Sequence, residues 1–238
     1  MNKISIKDFW EAQARKSHLS NEAISSLEEN PDLSDLRVEA EKSKILPIVH
    51  QIVNLDSSIL DLGGGAGQWA LRFSSIVREV SLVEFSDSMI KLAIDAVAKN
   101  KVDNINFFKE PAQNFYQSKT YDLIWISGLL IYLDDSDCEN LIKNAFNMLT
   151  PNGKILLRDG TGLEKRHQIK NQFSESLQLE YSATYRTNDE YEDLFSKHGF
   201  ELVSSDDMFK AGSPLNKWKE TRLRLYEFKK YNQLITRV

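Results

Sequence analysis

The sequence predicts an α/β fold: a mainly parallel sheet of about seven strands, with helices on both faces and a helical cap at the N-terminus. Three observations predict it. Short apolar runs alternate with amphipathic helical stretches from residue 57 onward, and such alternation builds a parallel sheet covered on both sides. The runs are apolar nearly throughout rather than at every second residue, as strands buried on both faces are. A glycine cluster closes the first run, at a strand-to-helix junction. The chain has 238 residues, 41% hydrophobic and 27% charged, which suits one large domain with a short appendage.

The cap is expected over residues 1–50. Ser5 to Asp8 cap a helix carrying Phe9, Trp10 and Ala14. Ser20 to Asn30 place Ala23, Ile24 and Leu27 at helical spacing, and Asn30-Pro31-Asp32 breaks that helix. An amphipathic pattern resumes over Val38 to Val53, interrupted by Pro47.

The main domain is expected over residues 51–238. Ser58 to Leu62 is its first strand, followed by a helix with Trp69, Ala70, Phe73 and Ile76. Val80 to Glu84 is the second strand. Ser86 to Lys99 is a helix with Met89, Leu92, Ala93, Ala96 and Val97 facing inward. Ile105 to Phe108 and Tyr121 to Ile126 are the third and fourth strands. Ser136-Asp137-Cys138-Glu139 reads as a capping box for a helix through Leu149. Thr150-Pro151-Asn152-Gly153 reads as a turn before a fifth strand, Lys154 to Arg158. Thr187 to Glu190 is a second capping box, whose helix ends near His198 with Gly199 behind it. Phe200 to Val203 is a strand. Beyond Trp218 two readings stay open: Leu223, Leu225 and Phe228 alternate on a strand, or join Trp218 on a helix.

Composition narrows the function. A net charge of −5 argues against a duplex nucleic-acid binder. The single cysteine, Cys138, excludes an internal disulfide framework and a cysteine-based zinc cluster. His18, His50, His167 and His198 are scattered, and no metal-ligand cluster is expected. No apolar run reaches the roughly 18 residues of a spanning helix, and the first residues lack the apolar core of a signal peptide. A cytoplasmic protein without a membrane partner is expected.

Parallel sheets bind ligands beyond the carboxyl ends of their strands, so the glycine cluster is the place to look. It reads Asp61-Leu62-Gly63-Gly64-Gly65-Ala66-Gly67, a D-x-G-x-G-x-G pattern. A dinucleotide fingerprint needs G-x-G-x-x-G. Counted from Gly63, its last glycine falls on Gln68; counted from Gly65, it falls on Ala70, an allowed variant. An NAD-dependent oxidoreductase therefore stays open on spacing. Glu84 ends the second strand, where a carboxylate accepts from ribose hydroxyls. Each such charge-assisted bond is worth about 1.5–3 kcal/mol.

Four segments together resemble the class I S-adenosylmethionine-dependent methyltransferases: ILDLGGGAGQWA (59–70), SLVEFSDSMIKLA (81–93), YDLIWISGLLIYLDD (121–135) and LTPNGKILLRD (149–159). The resemblance implies a Rossmann-like, doubly wound fold for residues 51–238. It implies S-adenosylmethionine as cofactor and S-adenosylhomocysteine as product. By the same resemblance Asp61 and the backbone around Gly63, Gly65 and Gly67 hold the methionine end, and Glu84 holds the ribose. Phe85 and Met89 sandwich the adenine, and Ala112 and Gln113 meet its edge. Pro111 stands where the family often has an acidic residue, with Glu110 the nearest substitute. Ser127 lies beside the methyl group. Trp10 either lids the pocket, as N-terminal helices of the family do, or belongs to the core.

Methyl transfer from a sulfonium is an in-line displacement in which the protein chiefly aligns the acceptor. Arg158, Tyr185 and Arg186 follow or end elements aimed at the cleft, and two arginines there suit a phosphate or carboxylate on the acceptor. Tyr185 or His167 would take the acceptor's proton. Tyr132 follows the fourth strand, where the resembled families line the acceptor pocket. The expected function is methyl transfer to an oxygen or nitrogen of a small polar metabolite, such as a sugar or a phosphorylated or carboxylated intermediate. RNA or protein methylation on the same fold, an NAD-dependent oxidoreductase and a non-catalytic cofactor-binding subunit are the alternatives.

Overall fold

The structure is a computed structural model that describes residues 5–16, 19–28, 30–174 and 179–231. His18 and residues 232–238 of the tail lie outside the described residues.

Polar side chains start the helices of the cap. Ser5 accepts from the Asp8 amide to begin α1 (Ile6–Ala14), and Ser20 accepts from the Ala23 amide to begin α2 (Asn21–Ser26). Asn30 does break the pattern, but by starting α3 (Pro31–Ile52), with Pro31 in its first turn where the missing N–H costs nothing. The expected gap before Val38 does not exist, and Pro47 does not interrupt the helix. The Pro47 ring is exposed, so the carbonyl it deprives of a partner can turn to water, while Ile45 and Val49 beside it are fully buried and hold the helix down.

The parallel frame is β1 (Ser58–Leu62), β2 (Glu79–Val83), β3 (Ile105–Phe108), β4 (Tyr121–Ser127) and β5 (Leu149–Gly162) in the order β3-β2-β1-β4-β5. The order reverses between β1 and β4, which opens a crevice at their carboxyl ends. Helices α4 (Gln68–Ser74) and α5 (Asp87–Lys99) join α3 over one face around Phe73, Val97 and Trp125. Helices α6 (Asp135–Met148) and α7 (Asn188–Ser196) cover the other around Leu141, Ile155 and Phe195.

Two expected starts differ from the sequence reading. Asp134, not Ser136, caps α6, accepting from the Asp137 amide at 2.8 Å, because a carboxylate two residues earlier reaches the same turn. Residues 150–153 form no separate turn before β5. Tyr121 pairs with Leu149 and Leu123 with Lys154, so these four residues bulge within one strand. Thr187 does form the expected capping box with Glu190 on α7.

The tail resolves as a strand. β9 (Thr221–Lys230) runs antiparallel to β5 and to β8 (Phe200–Asp207), and Trp218 lies outside it. These seven strands make the expected sheet. Two more, β6 (His167–Ser174) and β7 (Leu179–Thr187), form an antiparallel pair that extends it to nine. β7 joins the end of β5 in parallel, Thr161 opposite Arg186. This pair hangs over the crevice mouth.

Candidate functional site

The carboxyl ends of β1, β2, β4 and β5 meet α1, α2 and the start of α3 around two adjoining cavities, of about 300 and 790 Å³. Trp10, Ser25, Ser26, Arg37, Gly128, Tyr132 and Arg158 line both.

The smaller cavity gathers ten of the sequence-named cofactor residues. Asp61 sits on its wall only 2% exposed, and its Oδ2 has no hydrogen-bond partner. Burial first, and the charge of Glu84 second, push the Asp61 carboxyl up to about 7. Glu84 accepts from the Gly65 amide at 3.0 Å and from the Ser86 amide at 2.8 Å. Burial raises its pKa despite those bonds. Gly63 and Gly65 line the cavity with positive φ. A Cβ on Gly65 would meet nothing nearer than Ser25 Oγ at 3.5 Å, so a larger side chain would project into open space. Phe85, Met89, Ala112 and Gln113 also line it, with Ser127 at the β4 end. Gln113 also reaches Asp137 through its amide nitrogen at 3.4 Å.

Gly67 is the exception. It caps α4 at a φ of 82° and does not line the cavity; a Cβ there would lie 3.0 Å from Ala93 Cβ. Its work is to let α4 pack on α5.

The cap roofs this cavity through side chains that reach the main domain. Glu11 accepts from Ser86 Oγ at 2.9 Å and from the Ser88 amide at 3.3 Å, and Lys7 pairs with Asp87 at 3.0 Å. Ser25 donates to Gln68 Oε1 at 3.0 Å. Trp10 is half-buried and packs edge-on against Tyr132 at 5.5 Å. It is both lid and core.

The larger cavity takes in Tyr132, His167 and Tyr185, and adds Tyr181 and Trp218. The Tyr181 and Tyr185 hydroxyls lie 3.0 Å apart. Burial pushes the Tyr132, Tyr181 and Tyr185 phenols well above their usual range. Tyr185 is thus held as a neutral, hydrogen-bonding phenol, and His167 packs beside its ring at 5.8 Å. Asp159 is fully buried at the cavity floor and pushed up to about 7 by burial. It accepts from the Gly160 amide at 2.9 Å and the Ile131 amide at 3.2 Å, holding the turn that carries Tyr132.

Arg186 is misplaced in the sequence reading. It lies 1% exposed beneath β7 and lines neither cavity. Its guanidinium donates to Asp135 at 2.6 Å and to the Leu130 and Leu133 carbonyls at 2.7 and 2.9 Å. Alternation along β7 turns Tyr185 and Arg186 to opposite faces. Arg158 does reach the site, donating to Ser127 Oγ at 2.7 Å and to Glu41. Arg37 and Glu41 of α3 were missed. Four residues apart on a helix, they read as an ordinary surface pair, and nothing local says that α3 presses this face against the end of β5.

Residues 59–153 match the family model described as a methyltransferase domain. This chain carries a methyltransferase domain. It is 32% identical over 162 residues to the alpha N-terminal protein methyltransferase 1 of Dictyostelium discoideum, a match covering 64% of this chain. The chain spans about half of that relative's length, 54%. Among solved structures it resembles an S-adenosylmethionine-dependent methyltransferase of Leishmania major, with a TM-score of 0.68 at 20% identity over 93% of this chain and 81% of the other. It also resembles DhpI in complex with S-adenosylhomocysteine, with a TM-score of 0.63 at 17% identity over 94% and 98% of the two chains. The dinucleotide alternative does not survive the domain match.

The smaller cavity suits S-adenosylmethionine. Among the described residues nine buried side-chain polar atoms lack hydrogen-bond partners, and six belong to residues lining the cavities: Asp61, Gln68 and Trp125 on the smaller one alone, and Ser26, Arg37 and Arg158 on the wall it shares with the larger. Buried polar groups are normally satisfied, so this concentration marks a polar ligand's place. The unpartnered Asp61 oxygen fits an ammonium group, and Glu84 fits a diol.

Proposed function

We propose that this protein moves the methyl group of S-adenosylmethionine to an oxygen or nitrogen atom of a small polar metabolite by in-line displacement. The observation that carries this reading is the pair of adjoining cavities. One has the polar lining described above. The other is of metabolite size and shares Gly128 and Tyr132 with the first.

The bound cofactor supplies an electrophilic methyl group on a sulfonium. The protein's own residues do the rest. Asp61 and Glu84 orient the cofactor's polar ends. Glu11 and Trp10 hold the roof down and keep water from the reacting centre. The neutral phenols of Tyr132 and Tyr185 donate hydrogen bonds to the acceptor, and His167 takes its proton. An enclosed cytoplasmic small-molecule enzyme is the setting this reading expects.

The test begins with calorimetry using S-adenosylmethionine and S-adenosylhomocysteine. Incubation of a metabolite extract with isotope-labelled cofactor should then label a small molecule. Absence of cofactor binding overturns the reading. A second reading, methylation of a protein α-amino group, is favoured by the 32% identity to the Dictyostelium relative. It predicts label in N-terminal peptides instead.

A further inference from the structure

Arg37 of α3 and Arg158 of β5 meet on the wall that both cavities share. Each has a buried Nε–H without a hydrogen-bond partner, and Arg158 is 8% exposed. Arg158 donates to Glu41, and the Arg37 Nε lies 3.9 Å from the same carboxylate. Arg37 also donates to the Ser26 carbonyl at 3.0 Å. Two guanidiniums thus share one carboxylate, and one positive charge of the three residues is left over. Glu28, buried on the larger cavity's wall, also acts on Arg37 but is itself paired with Lys217, so the two guanidiniums can still take a counter-charge.

Two sources are conceivable, the cofactor's carboxylate and an acid on the acceptor. The smaller cavity has another cation, Arg72, which does not line the larger one and whose partner Glu22 is 3.4 Å away. Arg37 and Arg158 reach the larger cavity as well. Among the residues lining the rest of that cavity are the aromatic rings of Tyr181, Tyr185 and Trp218.

We propose that Arg37 and Arg158 bind an anionic oxygen group of the methyl acceptor, a carboxylate or phosphoryl group, on the wall between the two cavities. The planar fork of a guanidinium pairs with either group through two hydrogen bonds. Glu41 occupies the pair until the acceptor arrives, and keeps both side chains extended toward the cavities. The acceptor then has an acid at one end and a body that packs on tyrosines. This proposal rests on the methyl-transfer reading.

The test uses the full chain saturated with S-adenosylhomocysteine, with phenyl phosphate as the probe and phenol as its neutral control. Calorimetry should show phenyl phosphate binding at least tenfold tighter than phenol. Arg37→Gln should weaken phenyl phosphate tenfold or more and leave S-adenosylhomocysteine within twofold. Arg37→Lys should recover only part of the loss. Glu41→Gln should tighten phenyl phosphate severalfold, because a guanidinium is released, and a merely structural cluster would not yield a gain. Melting temperatures identify any variant that fails to fold, and Arg37→Lys then carries the comparison. Equal binding of phenyl phosphate and phenol to the wild type overturns the proposal. So does an Arg37→Gln variant that loses S-adenosylhomocysteine as strongly as phosphate, since the cation would then belong to the cofactor. A wild type that binds no S-adenosylhomocysteine is seen in the first titration, and overturns the methyl-transfer reading and the acceptor clamp together.

Discussion

Glu84 accepts a hydrogen bond from the Gly65 amide at 3.0 Å. That bond ties the end of β2 to the glycine loop after β1, across the point where a cofactor enters. One carboxylate thus shapes the loop and presents its remaining lone pairs to the cavity. Glu84→Ala should weaken S-adenosylmethionine by about 2–4 kcal/mol through lost charge-assisted bonds. Glu84→Gln should lose less, since it keeps one acceptor oxygen. Calorimetry decides, and an unchanged dissociation constant for Glu84→Ala would place the ribose elsewhere.

Two glycines of the same loop should fail in different ways. Gly65 has a φ of 54° and faces open cavity. Gly65→Val should abolish cofactor binding, because a β-branched side chain both strains that backbone and fills the space. Gly67→Val should instead lower the melting temperature, since its Cβ already meets Ala93 at 3.0 Å. Far-ultraviolet dichroism and calorimetry on both variants separate the outcomes. Loss of fold in Gly65→Val with retained fold in Gly67→Val would contradict the assignment.

The parallel frame was legible because its strands are apolar runs and its helices have caps, both local properties of the chain. The lining of the smaller cavity was legible for a related reason: Asp61, Gly65 and Glu84 follow or end strands, where topology fixes their place. The larger cavity was legible only in part: Tyr132, Arg158, His167 and Tyr185 line it, and Arg186 does not. His167, Tyr181 and Tyr185 belong to β6 and β7, whose sequences mix polar and apolar residues without a clear period. Which face each residue presents follows from how β7 meets the end of β5, a contact without a local signal. Arg37 and Glu41 were invisible for the same reason, being set by how α3 lies on the sheet.

Asp61 should make cofactor binding release protons. Its carboxyl is pushed up to about 7, against an ordinary value of 3.8. The folded state therefore holds this proton more tightly than the unfolded state. That contribution to stability is fully present below the unfolded value and is lost as pH rises through the folded one. A shift of this size corresponds to something on the order of 4 kcal/mol. Between pH 4 and 8 the unliganded wild type should lose melting temperature more steeply than Asp61→Asn. A bound ammonium would favour the carboxylate, so S-adenosylhomocysteine binding at pH 6.5 should release protons in the wild type and not in Asp61→Asn. Calorimetry in two buffers of different ionisation enthalpy measures this directly. Equal proton release in both proteins would remove Asp61 from the ammonium site.

Arg186 should behave as a fold residue, contrary to its expected place at the acceptor. Its guanidinium bridges Asp135 and two backbone carbonyls of the segment that carries Tyr132. Asp135 is shared with Arg166, whose Nη1 lies 2.9 Å away, and Arg166 also reaches Glu190 at 2.8 Å. Arg186→Ala would strand the Leu130 and Leu133 carbonyls beneath β7 and leave a void beneath the sheet. Each buried carbonyl left without its donor typically costs about 1–3 kcal/mol, whereas Asp135 is half exposed and adds little. Arg186→Lys should recover little, because one ammonium cannot reach all three acceptors in the plane that the guanidinium spans. Arg166→Ala, on the exposed side of Asp135, should cost well under half as much. The comparison is made by chemical denaturation, with S-adenosylhomocysteine affinity measured under native conditions. An Arg186→Ala protein with wild-type stability and a selective defect in the acceptor's KM would return this residue to the active site.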